Sequence, residues 1–79
     1  MNFQVPTRCT YDSINAALKD AGFDDVDIFP DVSNSHNVSV DYLRYDDNGH
    51  PYYSTQRTMY ETPREWAEAF EAGVFELNI

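Results

Sequence analysis

Few side chains in this sequence could perform chemistry, and their spacing matches no catalytic or metal-binding motif. Cys9 is the only cysteine, and the two histidines, His36 and His50, lie in polar segments that we predict to be loops. A zinc site needs closely spaced cysteine or histidine ligands, and a nucleophilic cysteine needs a neighbouring base. The sequence offers neither. We therefore predict no enzyme activity, no metal and no cofactor.

The densest group of possible oxygen ligands lies between residues 24 and 31. It consists of Asp24, Asp25, Asp27 and Asp31. A calcium-binding EF-hand loop that began at Asp25 would need glycine at its sixth position, where the chain has Pro30. These carboxylates are therefore interpreted by their charge rather than as ligands.

The charge of the chain is strongly unbalanced. Its 14 aspartates and glutamates outnumber 5 lysines and arginines, which gives a formal net charge of −9 over 79 residues. Direct binding to nucleic acid or to an anionic membrane needs a basic surface, so both are excluded. The predicted partner-binding residues form three acidic groups: Asp24, Asp25, Asp27 and Asp31; Asp46 and Asp47; and Glu65, Glu68 and Glu71, with Glu61 beside them.

The size of the chain suggests what such a surface would fit. A domain of this length has a radius of gyration of about 12 Å and a width on the order of 30 Å. Duplex DNA of that length carries about 18 phosphates. Because 14 carboxylates approach that number, we predict that the protein competes with nucleic acid for the basic site of a nucleic-acid-binding protein or nucleoprotein complex.

Two helices are predicted to position these residues. Apolar residues at helical spacing place the first helix at about residues 11–21, with Thr10, Asp12 or Ser13 as the N-cap and Gly22 after its end.

The second helix begins with a capping box, in which Thr62 caps the helix, Pro63 occupies its first position and Glu65 reaches back. Gly73 ends this helix. Its predicted buried stripe consists of Trp66, Ala67, Ala69 and Phe70.

Three strands are predicted between the helices. They cover residues 26–30, 38–45 and 52–60, where apolar and polar residues alternate or where aromatic and β-branched residues are frequent. Asn48-Gly49 predicts a hairpin between the last two strands. A two-residue turn there would place Arg57 opposite Val40 on the apolar face, so a bulge or a longer loop remains open. Residues 3–5 and 74–79 are possible terminal strands.

The predicted fold is a single α+β domain over residues 1–79, in which a three-stranded antiparallel sheet and two helices form two layers in the order αβββα. Double-stranded-RNA-binding domains have the same order. Their function is excluded here because the second helix carries Glu65, Glu68 and Glu71 in place of a lysine-rich start.

A small, acidic α+β domain without catalytic motifs resembles the phage-encoded inhibitors of bacterial defence, especially anti-CRISPR proteins and other DNA mimics. The resemblance covers the whole chain in size, charge and element order, and it rests on no sequence motif. It implies a non-enzymatic inhibitor without a cofactor, which blocks a nucleoprotein complex such as a CRISPR effector in the host cytoplasm. No functional residue is carried over from it.

Two other interpretations stay open. An ordinary protein interaction module could use the tyrosines of the hairpin, which are Tyr42, Tyr45, Tyr52, Tyr53 and Tyr60. Alternatively, the acidic composition is an adaptation to a salty cytoplasm. The single cysteine, the lack of a signal-like start and the lack of long apolar runs predict a soluble cytoplasmic protein, and we expect a monomer.

Overall fold

A computed structural model describes residues 2–31 and 37–77 of the chain. The elements are α1 (Tyr11–Asp20), β1 (Val26–Pro30), β2 (Val38–Tyr45), β3 (Pro51–Arg57) and α2 (Pro63–Glu71). The α+β fold and the αβββα order are therefore confirmed. Residues 3–5 and 74–77 do not form the terminal strands considered from the sequence. Residues 78–79 and most of the polar segment before β2, including His36, lie outside the described residues.

The α1 helix begins and ends through local contacts that the sequence encodes. Among the three candidate caps, Thr10 is the N-cap, and its hydroxyl oxygen accepts a hydrogen bond from the Ser13 N–H at 3.0 Å. At the other end, Gly22 has a φ of 95°. This left-handed conformation lets the Phe23 N–H donate to the Leu18 carbonyl at 2.8 Å, which closes the helix.

The α2 helix uses the same devices. The Thr62 hydroxyl accepts from the Glu65 N–H at 3.2 Å, as the capping box predicts. The Glu65 carboxylate, however, accepts from the Glu61 N–H, one residue before the cap, over a long 3.5 Å. Gly73 has a φ of 75°, and the helix closes where the next N–H, of Val74, reaches the Ala69 carbonyl at 2.9 Å.

The core lies between the helices and one face of the sheet. Trp66 is fully buried, as predicted, and stacks on Phe70 with ring centroids 4.9 Å apart, while Phe3 packs edge-on against both rings. The buried apolar residues are Phe3, Ile14, Leu18, Val26, Ile28, Val38, Val40, Tyr42, Trp66, Ala67, Phe70 and Phe75. Of the predicted stripe on α2, only Ala69 is partly exposed.

The sheet has the order β1-β2-β3, and its register corrects the two-residue turn considered from the sequence. Val40 lies opposite Gln56, and Arg57 lies opposite Ser39, so Arg57 faces away from the helices. The reason is a five-residue loop, residues 46–50, which is the longer connection that the sequence left open.

The carboxylate of Asp46 fixes this loop. It accepts hydrogen bonds from the Asn48 N–H at 2.9 Å and the His50 N–H at 2.8 Å. Gly49 completes the turn with a φ of 81°. A side chain that replaces backbone turn bonds in this way stabilises a loop longer than the Asn-Gly pair alone would predict.

The β3 strand is shorter than predicted and ends at Arg57 rather than near Tyr60. The cause is a bend, because Val38 accepts from the Thr58 N–H at 3.1 Å and donates to the Tyr60 carbonyl at 2.8 Å. Within the described residues, no helix is long and apolar enough to cross a membrane.

Candidate acidic binding surface

The strand register brings two of the predicted acidic groups to the same end of the sheet. Val26, at the start of β1, lies opposite Tyr42, whereas β2 continues to Tyr45 before the hairpin loop. The chain just before β1 and the hairpin loop therefore extend in the same direction from the sheet. Asp24 and Asp25 lie in the first of these segments and Asp46 and Asp47 in the second.

Both helices point their carboxyl ends toward this end of the sheet. Phe23, which follows α1, contacts Phe70 near the end of α2 with ring centroids 5.3 Å apart. At the other end, the Arg64 guanidinium at the start of α2 lies 3.5 Å from the carbonyl of Thr7, shortly before α1. The two helices are therefore roughly parallel.

Seven exposed carboxylates lie at this end of the sheet, which we call the acidic end. They are Asp20, Asp24, Asp25, Asp46, Asp47, Glu68 and Glu71. The carboxyl end of a helix carries a partial negative charge, so Asp20 in the last turn of α1 and Glu68 and Glu71 in the last turn of α2 add to the potential of the helix dipoles. The last turn of α2 contains no basic residue.

Few cations oppose this charge. Lys19, in the last turn of α1, forms an ion pair with Asp27 at 2.8 Å. Arg44, near the end of β2, lies with its guanidinium carbon 6.0 Å from the centroid of the Tyr52 ring. The acidic end thus keeps a large local excess of negative charge, and most of it faces solvent.

Three of the predicted acidic residues do not belong to this surface. Asp27 lies on the open face of the sheet with Lys19 beside it. Asp31 follows the far end of β1, is 8% exposed and pairs with Arg57 at 3.0 Å. Glu65 lies in the first turn of α2, where a carboxylate favours the helix dipole.

Two carboxylates of the acidic end also hold the fold. Asp46 fixes the hairpin loop, and Glu71 accepts a hydrogen bond from the Val5 N–H at 2.7 Å. The other five, Asp20, Asp24, Asp25, Asp47 and Glu68, make no side-chain hydrogen bond or ion pair in the part of the chain that the structure describes.

Sequence reasoning missed Asp20. Its signal was its place in the last turn of α1, one residue before the cap and two before Gly22, where an acidic side chain opposes the dipole. The same test applied to Glu68 and Glu71 would have separated them from Glu65. Charge counting alone treated all of these residues alike.

The hairpin carries a second exposed surface, which is aromatic. Tyr45 and Tyr53, on the open face of the sheet, are each 64% exposed, and Tyr52, on the opposite face, is 43% exposed. The other two hairpin tyrosines pack inward, since Tyr42 is buried and Tyr60 contacts Phe75 with ring centroids 6.0 Å apart.

Groups suited to chemistry stay apart. Residues 2–31 and 37–77 contain no cluster of three or more histidine, cysteine or acidic side chains that would hold a metal. Cys9 is partly buried, and its thiol donates to the Pro6 carbonyl at 3.2 Å. Burial raises the pKa of the Tyr11 hydroxyl, which lies at the start of α1 and away from the acidic end.

Comparison with known proteins does not identify the chain. No protein-family model, curated protein or solved structure matches it.

Proposed function

We propose that this protein is a non-enzymatic inhibitor whose acidic end occupies the basic nucleic-acid site of a protein or nucleoprotein complex. The observation that carries the proposal is the placement of five unpaired carboxylates at the end of the sheet toward which both helices point their negative ends. A like charge at a helix terminus costs about 0.3–1 kcal/mol at low ionic strength. Asp20 and Glu68 lie in last helical turns, where they oppose stability, and none of the five makes a side-chain hydrogen bond or ion pair in the described part of the chain. Their concentration at this end therefore favours a role in binding.

The dimensions indicate which nucleic acid the surface would imitate. The described residues span 40 × 30 × 21 Å with a radius of gyration of 12.5 Å. A net charge of −9 along the longest dimension amounts to roughly one charge per 4 Å, against about 1.7 Å for duplex DNA and 3.4 Å for one strand. The charge density is closer to that of a single strand, which favours a groove that holds single-stranded nucleic acid.

The proposed target is a host defence complex such as a CRISPR effector, and the proposed location is the host cytoplasm. Such complexes hold nucleic acid in positively charged channels. The protein is 40 Å long, which is the length of roughly 12 nucleotides of a single strand. A copy bound through its acidic end would therefore obstruct the site by its bulk, without any covalent chemistry.

The test combines capture with displacement. The immobilised protein captures binding partners from a bacterial lysate, and each captured protein is then purified and loaded with a fluorescent single-stranded oligonucleotide. We expect the acidic protein to displace the oligonucleotide, measured by fluorescence anisotropy. The proposal is wrong if no captured protein binds nucleic acid, or if oligonucleotide and acidic protein bind it together.

Two triple variants with equal charge changes locate the binding surface. The first carries Asp24→Asn, Asp25→Asn and Glu68→Gln at the acidic end. The second carries Asp12→Asn, Glu61→Gln and Glu76→Gln, which neutralise exposed carboxylates elsewhere. The first should lose displacement and the second should keep most of it, while circular dichroism shows both folded. Equal losses would mean that overall charge, rather than the acidic end, drives binding.

A second candidate function rests on the exposed hairpin tyrosines. Tyrosine is enriched in the centres of interfaces, and Tyr45 and Tyr53 share the face of the sheet that the helices leave open. In this case Tyr45→Ala with Tyr53→Ala would abolish partner capture, and the acidic triple variant would not. The salt-adaptation alternative predicts instead that the native protein folds only in molar salt.

A further inference from the structure

The two edges of the sheet are treated differently. On the outer edge of β1, the side-chain amide of Asn15 from α1 pairs with the backbone of Ile28. Its oxygen accepts from the Ile28 N–H at 2.7 Å, and its nitrogen donates to the Ile28 carbonyl at 3.0 Å. These are the two groups that another strand would use, so α1 blocks this edge.

The outer edge of β3 has no such cover among the described residues. The Asp46 N–H donates to the His50 carbonyl at one end of the hairpin, and the Thr58 N–H donates to the Val38 carbonyl at the other. Antiparallel pairing alternates, so these bonds place the backbone groups of Tyr53, Thr55 and Arg57 on the outer edge. Their N–H and carbonyl groups make no hydrogen bond within residues 2–31 and 37–77.

Natural proteins usually protect such an edge with lysines, inward charges, bulges or proline. Pro51 at the start of β3 and the bend after Arg57 limit the exposed edge to residues 52–57. Between them β3 has no lysine, proline or bulge. Residues 48–60 also contain no aspartate or glutamate, although the chain has 14 of them. The edge is therefore open, nearly neutral and rich in exposed aromatic surface.

We propose that β3 pairs antiparallel with β3 of a second copy of this chain, which extends the sheet across a two-fold axis at Thr55. In this register Thr55 lies opposite Thr55 of the second copy, and Tyr53 of each copy lies opposite Arg57 of the other. The side chains of Tyr53 and Arg57 lie on the open face of the sheet, where Tyr53 is 64% exposed. An arginine beside a tyrosine ring is a favourable cross-strand pair.

The charges near the β3 edge favour a second copy of this chain over a basic peptide. A basic strand would meet no carboxylate on β3, and two carboxylates that contact β3 side chains are already bound. Asp41 accepts a hydrogen bond from the Thr55 hydroxyl at 2.6 Å, and Asp31 pairs with Arg57 at 3.0 Å. A second copy of β3 carries no acidic residue. It supplies Arg57, whose side chain is 66% exposed although it pairs with Asp31, so the guanidinium can lie beside the Tyr53 ring. The strand is complementary to itself.

The net charge of −9 on each copy makes the dimer depend on salt. Charges are screened beyond about 30 Å at 10 mM ionic strength and beyond about 3 Å at 1 M. Two copies of a body 40 × 30 × 21 Å in size therefore repel strongly only at low salt. Edge pairing should strengthen as salt rises, whereas binding of the acidic end to a basic partner should weaken.

Sedimentation equilibrium at about 10 mM and about 1 M NaCl tests the proposal. We expect a monomer at low salt and, at high salt, a dimer with a dissociation constant lower by about tenfold or more. A short strand pair buries less than the roughly 800 Å² per partner of a standard interface, so the association is weak and needs high protein concentration. A monomer at every salt concentration, or a dimer that dissociates as salt rises, would overturn the proposal.

Two variants with the same charge change locate the interface. Thr55→Lys places like charges on the two-fold axis, while Gln4→Lys adds the same charge on the exposed segment before α1. Thr55→Pro is a third variant, which removes an N–H that faces the open edge rather than β2. The Gln4 variant should dimerise at least as well as the native protein, and both Thr55 variants should stay monomeric. Equal dimerisation of the Lys variants contradicts the proposal.

Amide hydrogen exchange identifies the bonds themselves and does not depend on any variant. At low salt the Tyr53, Thr55 and Arg57 amides should exchange fast, and the Tyr52 and Ser54 amides should be protected by β2. In the dimer the three outer amides should become protected as well. Dimerisation without this change would place the contact elsewhere, for example at the hairpin loop.

Discussion

The two ends of the sheet carry similar acidic side chains and use them in opposite ways. At the end where the helices begin, Asp31 pairs with Arg57 and Glu65 lies in a first helical turn, so both carboxylates stabilise the fold. At the acidic end, five carboxylates have no partner in the described part of the chain, and two of them, Asp20 and Glu68, lie where the helix dipoles disfavour them. Acidic side chains therefore point to binding when they lack a stabilising contact, and their number alone does not distinguish the two ends.

The largest effect is expected from a substitution in the core, which supports both ends of the sheet. Trp66 is fully buried and contacts Phe3, Phe70 and Phe75. Trp66→Ala should lower the free energy of unfolding by about 3–5 kcal/mol, since it leaves a large cavity in a small core. Urea unfolding followed by circular dichroism measures this, and a loss below about 1 kcal/mol would mean that the helices do not depend on this packing.

Asp31 and Asp24 give the clearest comparison of the two ends, because among the described residues one carboxylate is paired and the other is not. Asp31→Asn leaves the Arg57 guanidinium without its charged acceptor, so we expect a loss of about 1.5–3 kcal/mol. Asp24→Asn changes the protein charge equally at a solvent-exposed position and should leave stability within about 0.5 kcal/mol. If the two variants unfold at the same urea concentration, the ends do not differ as described.

A smaller effect is expected at the start of α2. Thr62→Ala removes the hydroxyl that accepts from the Glu65 N–H and should cost about 1 kcal/mol. Thr62→Ser keeps the acceptor and serves as the control. A negligible change in the alanine variant would show that the capping bond does not stabilise the helix.

The smallest effect has the opposite sign. Glu68→Gln removes a negative charge from the carboxyl end of α2, which has no basic residue in its last turn. We expect stability to increase by about 0.3–1 kcal/mol at low ionic strength and the gain to vanish in high salt. A loss of stability at low salt would mean that Glu68 holds the fold, and it would remove this residue from the candidate surface.

The parts of the fold that the sequence predicted depend on local contacts. Thr10, Thr62, Gly22 and Gly73 mark helix ends because a cap or a left-handed turn involves only neighbouring residues. The αβββα order follows from periodicity in the same way. Residues 78–79, which were part of a possible terminal strand, stay outside the described range.

The parts that the sequence did not predict depend on contacts between distant residues. The hairpin register differs from that of a two-residue turn because the Asp46 carboxylate closes a five-residue loop. The acidic end needed both this register and the direction of the helices, which the Phe23–Phe70 and Thr7–Arg64 contacts reveal. The pairing of Asp31 with Arg57 joins residues 26 positions apart, which no local pattern encodes.

The salt dependence of partner binding tests the central claim most directly. Affinity for the captured nucleic-acid-binding protein is measured over a series of NaCl concentrations for the native protein and for the two triple variants. We expect the native affinity to fall steeply with salt, because several ion pairs are screened together, and the slope to decrease only when Asp24, Asp25 and Glu68 are neutralised. A native affinity that does not change with salt, or a slope that the acidic-end variant leaves unchanged, would contradict binding through the acidic end.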